Sequence, residues 1–282
     1  MPSDNELAIV EVENVTKEFG NTRASSKRGP AVDAVSLTID HTTRLGVVGE
    51  SGSGKSTLSR IIVGLETPTS GRVAYRGLDV HCMSPREQKE FRKNVQMISQ
   101  DTSSSFDPTR TLRDSVRRPA QELLGLDKSK ADALVDETLA MVGIAPWMVD
   151  RKPTDVSGGQ RQRIAIARSL VVKPALFLCD EVVSALDVSV QGTVLNLLKE
   201  YCDQNEAGLI FVSHGLPATA FVSKEMVVMR NGAIVEQGPV DDVIHRSKNQ
   251  YTKTLIEAYQ RSARPLVPRQ PAAGALLEEA VG

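Results

Sequence analysis

Apolar residues occur along this chain in runs of two kinds. Residues 9–15 and 32–39 alternate apolar with polar side chains, which is typical of half-exposed antiparallel strands. Residues 45–48, 175–179 and 209–212 are apolar without interruption, as expected where both faces of a parallel sheet are covered. The pattern therefore predicts an α/β fold with a mainly parallel sheet and an antiparallel β subdomain.

Helical spacing predicts helices between these strands. Apolar positions after the run 45–48 are Leu58, Ile61, Ile62 and Leu65. Residues 123–144 are expected to form a longer helix. Its apolar face is Leu134, Thr138, Met141 and Val142. Since this helix interrupts the succession of strands, we expect an inserted α-helical subdomain at about residues 101–165. Residues 226–229 and 234–237, joined through Asn231-Gly232, are expected to form a hairpin.

A glycine-rich stretch after the run 45–48 fits the pattern G-x-x-x-x-G-K-[ST]. Its residues are Gly49, Glu50, Ser51, Gly52, Ser53, Gly54, Lys55, Ser56 and Thr57. Between a strand and a helix, the backbone N–H groups of such a loop surround phosphate oxygens, assisted by the helix N-terminus. Lys55 is then expected to contact the β- and γ-phosphates, and Ser56 to be a ligand of Mg²⁺.

Chemically active side chains follow two of the apolar runs. Asp180 and Glu181 come directly after residues 175–179, and His214 follows residues 209–212. Because the carboxyl ends of parallel strands meet at one edge of a sheet, we expect all three residues near the glycine loop. Asp180 suits a Mg²⁺ ligand, Glu181 a base that polarises the attacking water, and His214 a contact to the γ-phosphate.

A second stretch has the features of an anion-binding helix N-terminus. Ser157, Gly158, Gly159 and Gln160 precede an apolar helical pattern, with Ser157 as the expected N-cap. Taken alone, a Ser-Gly-Gly sequence is more typical of a flexible turn with a cap.

Two residues have both a structural and a functional interpretation. Phe19 lies in a polar neighbourhood, and it is either a core residue at a strand end or a platform on which adenine stacks. Gln100 follows the predicted strand 95–99, where a glutamine is usually a polar terminator.

Composition excludes several classes of protein. The 34 basic and 35 acidic residues nearly cancel among 282, and aromatic residues make up 4%, so nucleic acid is not an expected partner. The apolar runs are far shorter than the ~18 residues of a membrane span, and the N-terminus lacks the pattern of a secretory signal. Three widely spaced cysteines match neither a disulfide framework nor a metal site. We therefore expect a protein of the cytosol.

The motifs occur in the order found in ATP-binding-cassette ATPases, and the chain resembles that family over residues 7–258. The matching segments are 49–57, Gln100, 156–160, 176–181, 184–187 and His214. The resemblance implies a P-loop NTPase core that uses ATP and Mg²⁺. It also implies an ATPase domain over residues 6–260, which leaves residues 261–282 as a flexible tail.

The resemblance assigns roles that the residues alone leave open. It implies that Gln100 senses Mg²⁺ and the transmembrane partner, and that Asp187 connects two sites across a dimer of cassettes. It gives His214 the γ-phosphate contact and Phe19 the adenine-stacking role. The Ser157 region of one cassette is expected to complete the ATP site of another, so Gly158, Gly159 and Gln160 join the binding residues.

Finer features are similar to the ATP-binding subunits of dipeptide, oligopeptide and nickel permeases. They are residues 49–54, 184–191, 234–238 and Tyr251-Thr252. Val182, Gly215 and Val156 depart from that pattern without removing a chemical group from the ATP site. The resemblance implies an importer subunit at the cytoplasmic face of the membrane. Its partners would be a second cassette, identical or related, the permease subunits and, indirectly, a solute-binding protein.

Two other interpretations remain at this point. Cassette proteins of the phosphonate carbon–phosphorus lyase complex resemble the same subfamily, which would make this chain an accessory ATPase of a soluble enzyme. An ATPase of repair or translation is disfavoured by the single cassette and the balanced charge.

Overall fold

The computed structural model describes residues 9–20, 29–99, 105–184, 186 and 188–262. Its strands are β1 (Val10–Lys17), β2 (Val32–Ile39), β3 (Arg44–Val48), β4 (Ser70–Tyr75), β5 (Leu78–Asp79), β6 (Val95–Ile98), β7 (Leu176–Asp180), β8 (Gly208–Val212), β9 (Glu225–Arg230) and β10 (Ala233–Pro239). The first sheet has the order β2-β1-β4-β5, and every neighbouring pair in it is antiparallel. The predicted antiparallel subdomain is therefore confirmed.

The larger sheet has the order β10-β9-β3-β8-β7-β6. Its neighbouring strands are parallel except for β9 and β10, which form the predicted hairpin. Alternate residues of β7 enter different apolar clusters: Leu176 and Leu178 lie in one, Phe177 and Cys179 in another. Both faces of the sheet are thus covered, which explains the uninterrupted apolar runs.

The helices are α1 (Lys55–Ile62), α2 (Pro85–Asn94), α3 (Leu112–Leu124), α4 (Lys128–Met141), α5 (Gly158–Leu170), α6 (Val188–Gln204), α7 (Leu216–Val222), α8 (Val240–His245) and α9 (Gln250–Ser262). Helices α3, α4 and α5 pack on one another, and they lie between β6 and β7 along the chain. Helix α5 runs to Leu170, past the expected boundary at 165, and α9 extends past the expected start of the tail at 261.

The prediction of a single helix over residues 123–144 is wrong. Gly125 adopts the left-handed conformation (φ 72°) and ends α3, and the carboxylate of Asp127 then caps α4 by accepting from Lys130 N at 2.9 Å. Met141, expected on the apolar face, is 45% exposed. The buried positions of α4 are Ala131, Val135, Thr138 and Leu139.

The prediction that Leu65 belongs to the apolar face of the first helix is wrong. Helix α1 ends at Ile62, and Gly64 turns the chain with φ 70°. Leu65 lies beyond this turn and is 71% exposed, whereas Leu58, Ile61 and Ile62 are buried.

Helix α2 was not predicted from the apolar pattern. Its apolar content is small, since Phe91 is its buried residue. The signal lies at its start, where Ser84 and Glu87 form a reciprocal capping box and Pro85 occupies the first turn.

Candidate functional site

The glycine loop lies between the end of β3 and the start of α1, as its motif predicts. Gly54 has φ 104°, and a side-chain Cβ at this position would lie 2.1 Å from the carbonyl oxygen of Ala31. A Cβ at Gly49 would lie 2.3 Å from the carbonyl oxygen of Met229. Both positions therefore exclude any side chain, because the loop packs directly against the backbone of β9 and of Ala31, the residue before β2.

The turn Asn231-Gly232 ties the glycine loop to the antiparallel sheet. The amide of Gly232 donates to the carbonyl of Ser53 at 3.0 Å, and the carbonyl of Gly232 accepts from Asp33 N at 2.9 Å. Sequence reasoning identified this turn as a hairpin connection and missed the contact, since nothing in a two-residue turn indicates what it touches.

Lys55 is the first residue of α1 and is 6% exposed. Its Nζ donates to the carbonyl oxygens of Gly49 and Glu50, each at 2.8 Å. Burial lowers the pKa of Lys55, and the carboxylates of Glu181, Asp180 and Glu50 act in the opposite direction. The ammonium group thus lies inside the curve of the loop, while Glu50, Ser51 and Gly52 at its mouth are exposed.

Ser56 and Asp180 meet across the site. The Oγ of Ser56 donates to Oδ1 of Asp180 at 3.3 Å. Asp180 ends β7 and is 5% exposed, and burial raises the pKa of its carboxyl, while the bond from Ser56 acts to lower it. A buried carboxylate beside a hydroxyl is a pair of hard oxygen donors suited to a divalent cation.

Glu181 and His214 also lie at this edge of the larger sheet. Nδ1 of His214 is 3.2 Å from Oε2 of Glu181. The backbone of Glu181 is in the left-handed region (φ 53°), and its amide donates to the carbonyl of Val212 at 2.8 Å. A left-handed glutamate is uncommon and is held here by the sheet, which directs the chain out of β7 at this point.

The turn that follows Glu181 is ordered by side chains. Ser184 Oγ donates to the carbonyl of Glu181 at 2.8 Å. Gln191, from α6, donates through Nε2 to the carbonyls of Val183 and Leu186 at 3.0 and 2.9 Å. Gln100 and Asp187, both predicted binding residues, lie outside the described residues.

Ser157 caps α5 as its sequence predicts. Its Oγ accepts from Gln160 N at 3.3 Å, and its amide donates to Oε1 of Gln160 at 2.9 Å, forming a capping box. In the part of the chain that the structure describes, no hydrogen bond joins Ser157 or Gln160 to the glycine loop. Ser157 and Gly158 are exposed, and Gly159 is half-buried.

Phe19 follows β1 and is 53% exposed, so the interpretation as a strand-end core residue is wrong. The Nζ of Lys17 lies 5.2 Å from the centroid of its ring. The amide of Ala31 donates to the carbonyl of Lys17 at 2.7 Å, which ties this strand end to the chain segment that packs on Gly54. Its stacking on adenine stays a prediction.

A parallel sheet with a glycine loop after one strand, and an acidic pair after another, defines a P-loop nucleotide-binding protein. Comparison with known proteins gives the family. Residues 32–184 match the family described as ABC transporter. The chain belongs to this family, and its domain is an ABC ATPase.

Curated relatives and solved structures agree with this assignment. The probable peptide ABC transporter ATP-binding protein y4tS of Sinorhizobium fredii is 40% identical over 89% of this chain and 72% of its own. The oligopeptide transport ATP-binding protein OppF of Lactococcus lactis is 42% identical over 81% of this chain and 72% of its own. The dimeric post-hydrolysis structure of the cassette MJ0796, bound to ADP and Pi, is 26% identical with a TM-score of 0.75, covering 82% of this chain and 98% of that one.

Proposed function

We propose that this protein is the ATP-hydrolysing subunit of a peptide importer and works with separate membrane subunits. The observation that carries the chemistry is the pair Glu181–His214 beside the pair Ser56–Asp180 at the glycine loop. The proposal that the transported solute is a peptide is supported by the relatives, whose names refer to peptide or oligopeptide transport. A soluble lyase complex is not favoured, because these relatives are transport ATP-binding proteins.

Lys55 and the loop amides would hold the phosphates. The ammonium group of Lys55 already lies within the loop, so it reaches the β- and γ-phosphates with little rearrangement. The loop would supply backbone N–H groups apart from those of Glu50 and Ser53, which donate to other groups of the protein, and the start of α1 adds its dipole.

Ser56 and Asp180 fit a bound Mg²⁺. Their oxygens lie within hydrogen-bonding distance of each other. Burial raises the pKa of Asp180, and a nearby cation would favour its ionised form. When bound, the ion would neutralise charge on the phosphate oxygens. Gln100, which also enters this proposal as a ligand, lies outside the described residues.

Glu181 would act as general base and His214 would contact the γ-phosphate. The Glu181 carboxylate is mostly shielded from solvent, with a side-chain exposure of 18%, whereas that of His214 is 59%. A shielded carboxylate holds and deprotonates a water better than a fully solvated one, and the imidazole keeps that carboxylate oriented.

Phe19→Ala is expected to weaken ATP binding by roughly 1–3 kcal/mol, because a stacked base loses its aromatic platform. ATP affinity is measured by calorimetric titration. Phe221→Ala is the matched control, since Phe221 is 47% exposed with Lys199 Nζ 5.1 Å from its ring centroid. Equal ATP affinity in a folded Phe19→Ala protein and in the wild type contradicts the stacking role.

The dimer proposal assigns the Ser157 region to the ATP site of a partner cassette. MJ0796 is dimeric in its solved structure, and Ser157 and Gly158 are exposed here on the helical subdomain. An exposed helix N-terminus suits the γ-phosphate of a nucleotide held by another chain. Asp187 is proposed to connect the two sites.

Ser157→Arg is expected to leave ATP binding by the isolated subunit intact and to block the closed dimer. The bulky side chain would occupy the position of the partner's γ-phosphate. Size-exclusion chromatography with and without ATP measures the dimer. Ser84→Arg is the matched control, because Ser84 also caps a helix through a capping box, so both variants lose a cap worth about 0.5–2 kcal/mol. Dimerisation of Ser157→Arg to the wild-type extent contradicts the assignment.

We place the protein at the cytoplasmic face of the membrane, bound to permease subunits that in turn receive solute from a binding protein. Among the described residues, no helix is both long and apolar enough to cross a bilayer. Deleting the gene should abolish peptide uptake, and co-purification should recover membrane permease subunits. Recovery of soluble enzyme subunits instead would support the lyase alternative, and the identity of the adjacent genes is an independent test.

A further inference from the structure

A tyrosine from the C-terminal helix α9 contacts the phosphate-binding loop. The backbone amide of Glu50 donates to Oη of Tyr251 at 3.3 Å, across 201 positions of sequence. Tyr251 is not part of the P-loop motif or of the acidic pair, and none of the roles assigned above involves it. The contact therefore links a helix near the end of the described chain to the first peptide of the loop.

The peptide that Tyr251 contacts is the one that also holds Lys55. The carbonyl of Gly49 and the amide of Glu50 belong to one planar peptide group. Its oxygen accepts from Lys55 Nζ at 2.8 Å, and its N–H donates to Tyr251. The plane of this peptide is thus fixed from both edges, so a rotation that frees Tyr251 also turns the Gly49 carbonyl away from the ammonium group.

Tyr251 is itself held in place. The guanidinium of Arg230, at the end of β9, lies 4.7 Å from the centroid of the Tyr251 ring. Asn249 caps the start of α9, with Oδ1 accepting from the amide of Tyr251 at 2.9 Å, and donates through Nδ2 to the carbonyl of Val235 at 3.1 Å. The helix therefore enters at a fixed position beside the β9–β10 hairpin.

Apolar packing holds the rest of α9 against the same region. Leu255 and Ile256 are each 6% exposed, and they share an apolar cluster with Val48, the last residue of β3 before the loop. Burial raises the pKa of Tyr251, and its neutral hydroxyl group accepts the hydrogen bond from the Glu50 amide.

We propose that Tyr251 is a positioning residue for ATP binding, which fixes the Gly49–Glu50 peptide and through it Lys55. A loop whose first peptide is already oriented loses less conformational freedom when it closes around phosphates, so affinity rises without a direct contact to nucleotide. This inference rests on ATP binding at the loop. Helix α9 would thus contribute to the ATP site, although it contains neither the glycine loop nor the acidic pair.

Tyr251→Phe tests the proposal, because it removes the acceptor Oη and keeps the ring under Arg230. We expect ATP and ADP to bind roughly two- to tenfold more weakly, as for the loss of one neutral hydrogen bond. AMP, which has no β-phosphate for Lys55, should bind as it does to the wild type. Calorimetric titration of the full chain with the three nucleotides gives the comparison, and hydrogen exchange at the Glu50 amide should become faster.

Tyr201→Phe is the matched control. Tyr201 lies on α6, and its hydroxyl donates to the carbonyl of Pro174 at 3.5 Å. Tyr201→Phe therefore removes the same hydroxyl group as Tyr251→Phe, but from a residue that bonds to Pro174 and not to the loop. Thermal unfolding of both variants shows whether a loss of stability alone accounts for the change. ATP affinity that is unchanged in Tyr251→Phe, or that falls equally in Tyr201→Phe, overturns the proposal.

The proposal also requires that Tyr251 act through Lys55. In a Lys55→Ala background, Tyr251→Phe should have no further effect on the affinity for ADP, whereas independent effects would simply add. Additive losses, or equal losses for AMP and ATP, would mean that Tyr251 supports the domain generally. A wild-type protein that binds no ATP would instead reject the proposed function, so the two failures are distinguishable.

Discussion

Replacing Lys55 by alanine is expected to abolish ATP hydrolysis and to weaken ATP binding by ~10²-fold or more. The Nζ of Lys55 is seated in the loop by the Gly49 and Glu50 carbonyls, from where it can meet the β- and γ-phosphates. Hydrogen bonds to charged groups contribute about 1.5–3 kcal/mol each, so losing two of them accounts for this factor. Phosphate release and calorimetric titration with ATP measure the two effects.

Lys89→Ala is the matched control for Lys55→Ala. Lys89 is an exposed residue of α2, so its loss changes the net charge equally without touching the loop. Thermal unfolding of both variants shows whether they are folded. A Lys55→Ala protein that binds ATP and turns it over at the wild-type rate would contradict the phosphate-binding assignment of residues 49–57.

The phosphate loop and the acidic strand end were predictable because the sequence itself specifies their positions. A loop of glycines between a strand and a helix has few available conformations, and the carboxyl ends of parallel strands must meet at one edge. Asp180, Glu181 and His214 accordingly lie together with Ser56 and Lys55. The apolar pattern likewise predicted both sheets. Strands that are covered on both faces are apolar throughout, whereas strands that are covered on one face alternate apolar and polar residues.

The residues at which helices begin and end were not predictable from apolar spacing. A left-handed residue such as Gly125 ends a helix without disturbing the period of the apolar residues on either side, so the predicted helix over residues 123–144 joined the last residues of α3 to α4, and the rest of α3 was not predicted. Helix α2 buries mainly Phe91, which leaves its capping box at Ser84 as the better signal.

The contacts that Gly232 and Tyr251 make with the glycine loop could not be predicted. The Gly232 bond to Ser53 and the Tyr251 bond to Glu50 join elements that lie far apart in sequence. A single sequence shows neither the register of a hairpin against a loop nor the direction in which a terminal helix returns. Both contacts involve the backbone of the loop, so no complementary pair of side chains marks them.

Glu181→Gln is expected to preserve ATP binding and to reduce hydrolysis at this site by at least ~10²-fold. The amide keeps the size of the carboxylate but cannot take a proton from the attacking water. It can still accept a hydrogen bond from His214, whose Nδ1 lies 3.2 Å from Oε2. Lys55, Ser56 and Asp180 are unchanged, so the nucleotide remains held and the closed dimer should accumulate. ATPase rate and size-exclusion mass, with and without Mg²⁺-ATP, measure both effects.

The ATPase rate is measured on the mutant together with the proposed partner cassette, because in such a dimer a working partner site would mask part of the loss. Glu200→Gln is the matched control, since Glu200 is an exposed residue of α6 and its neutralisation changes the charge equally. Glutamate and glutamine at position 181 both have to adopt the same left-handed backbone conformation (φ 53°). The free energy of unfolding should therefore differ little between the wild type and Glu181→Gln. If hydrolysis at this site persists, or if the mutant no longer binds ATP, Glu181 is not the base, and its contact with His214 only orients the turn after β7.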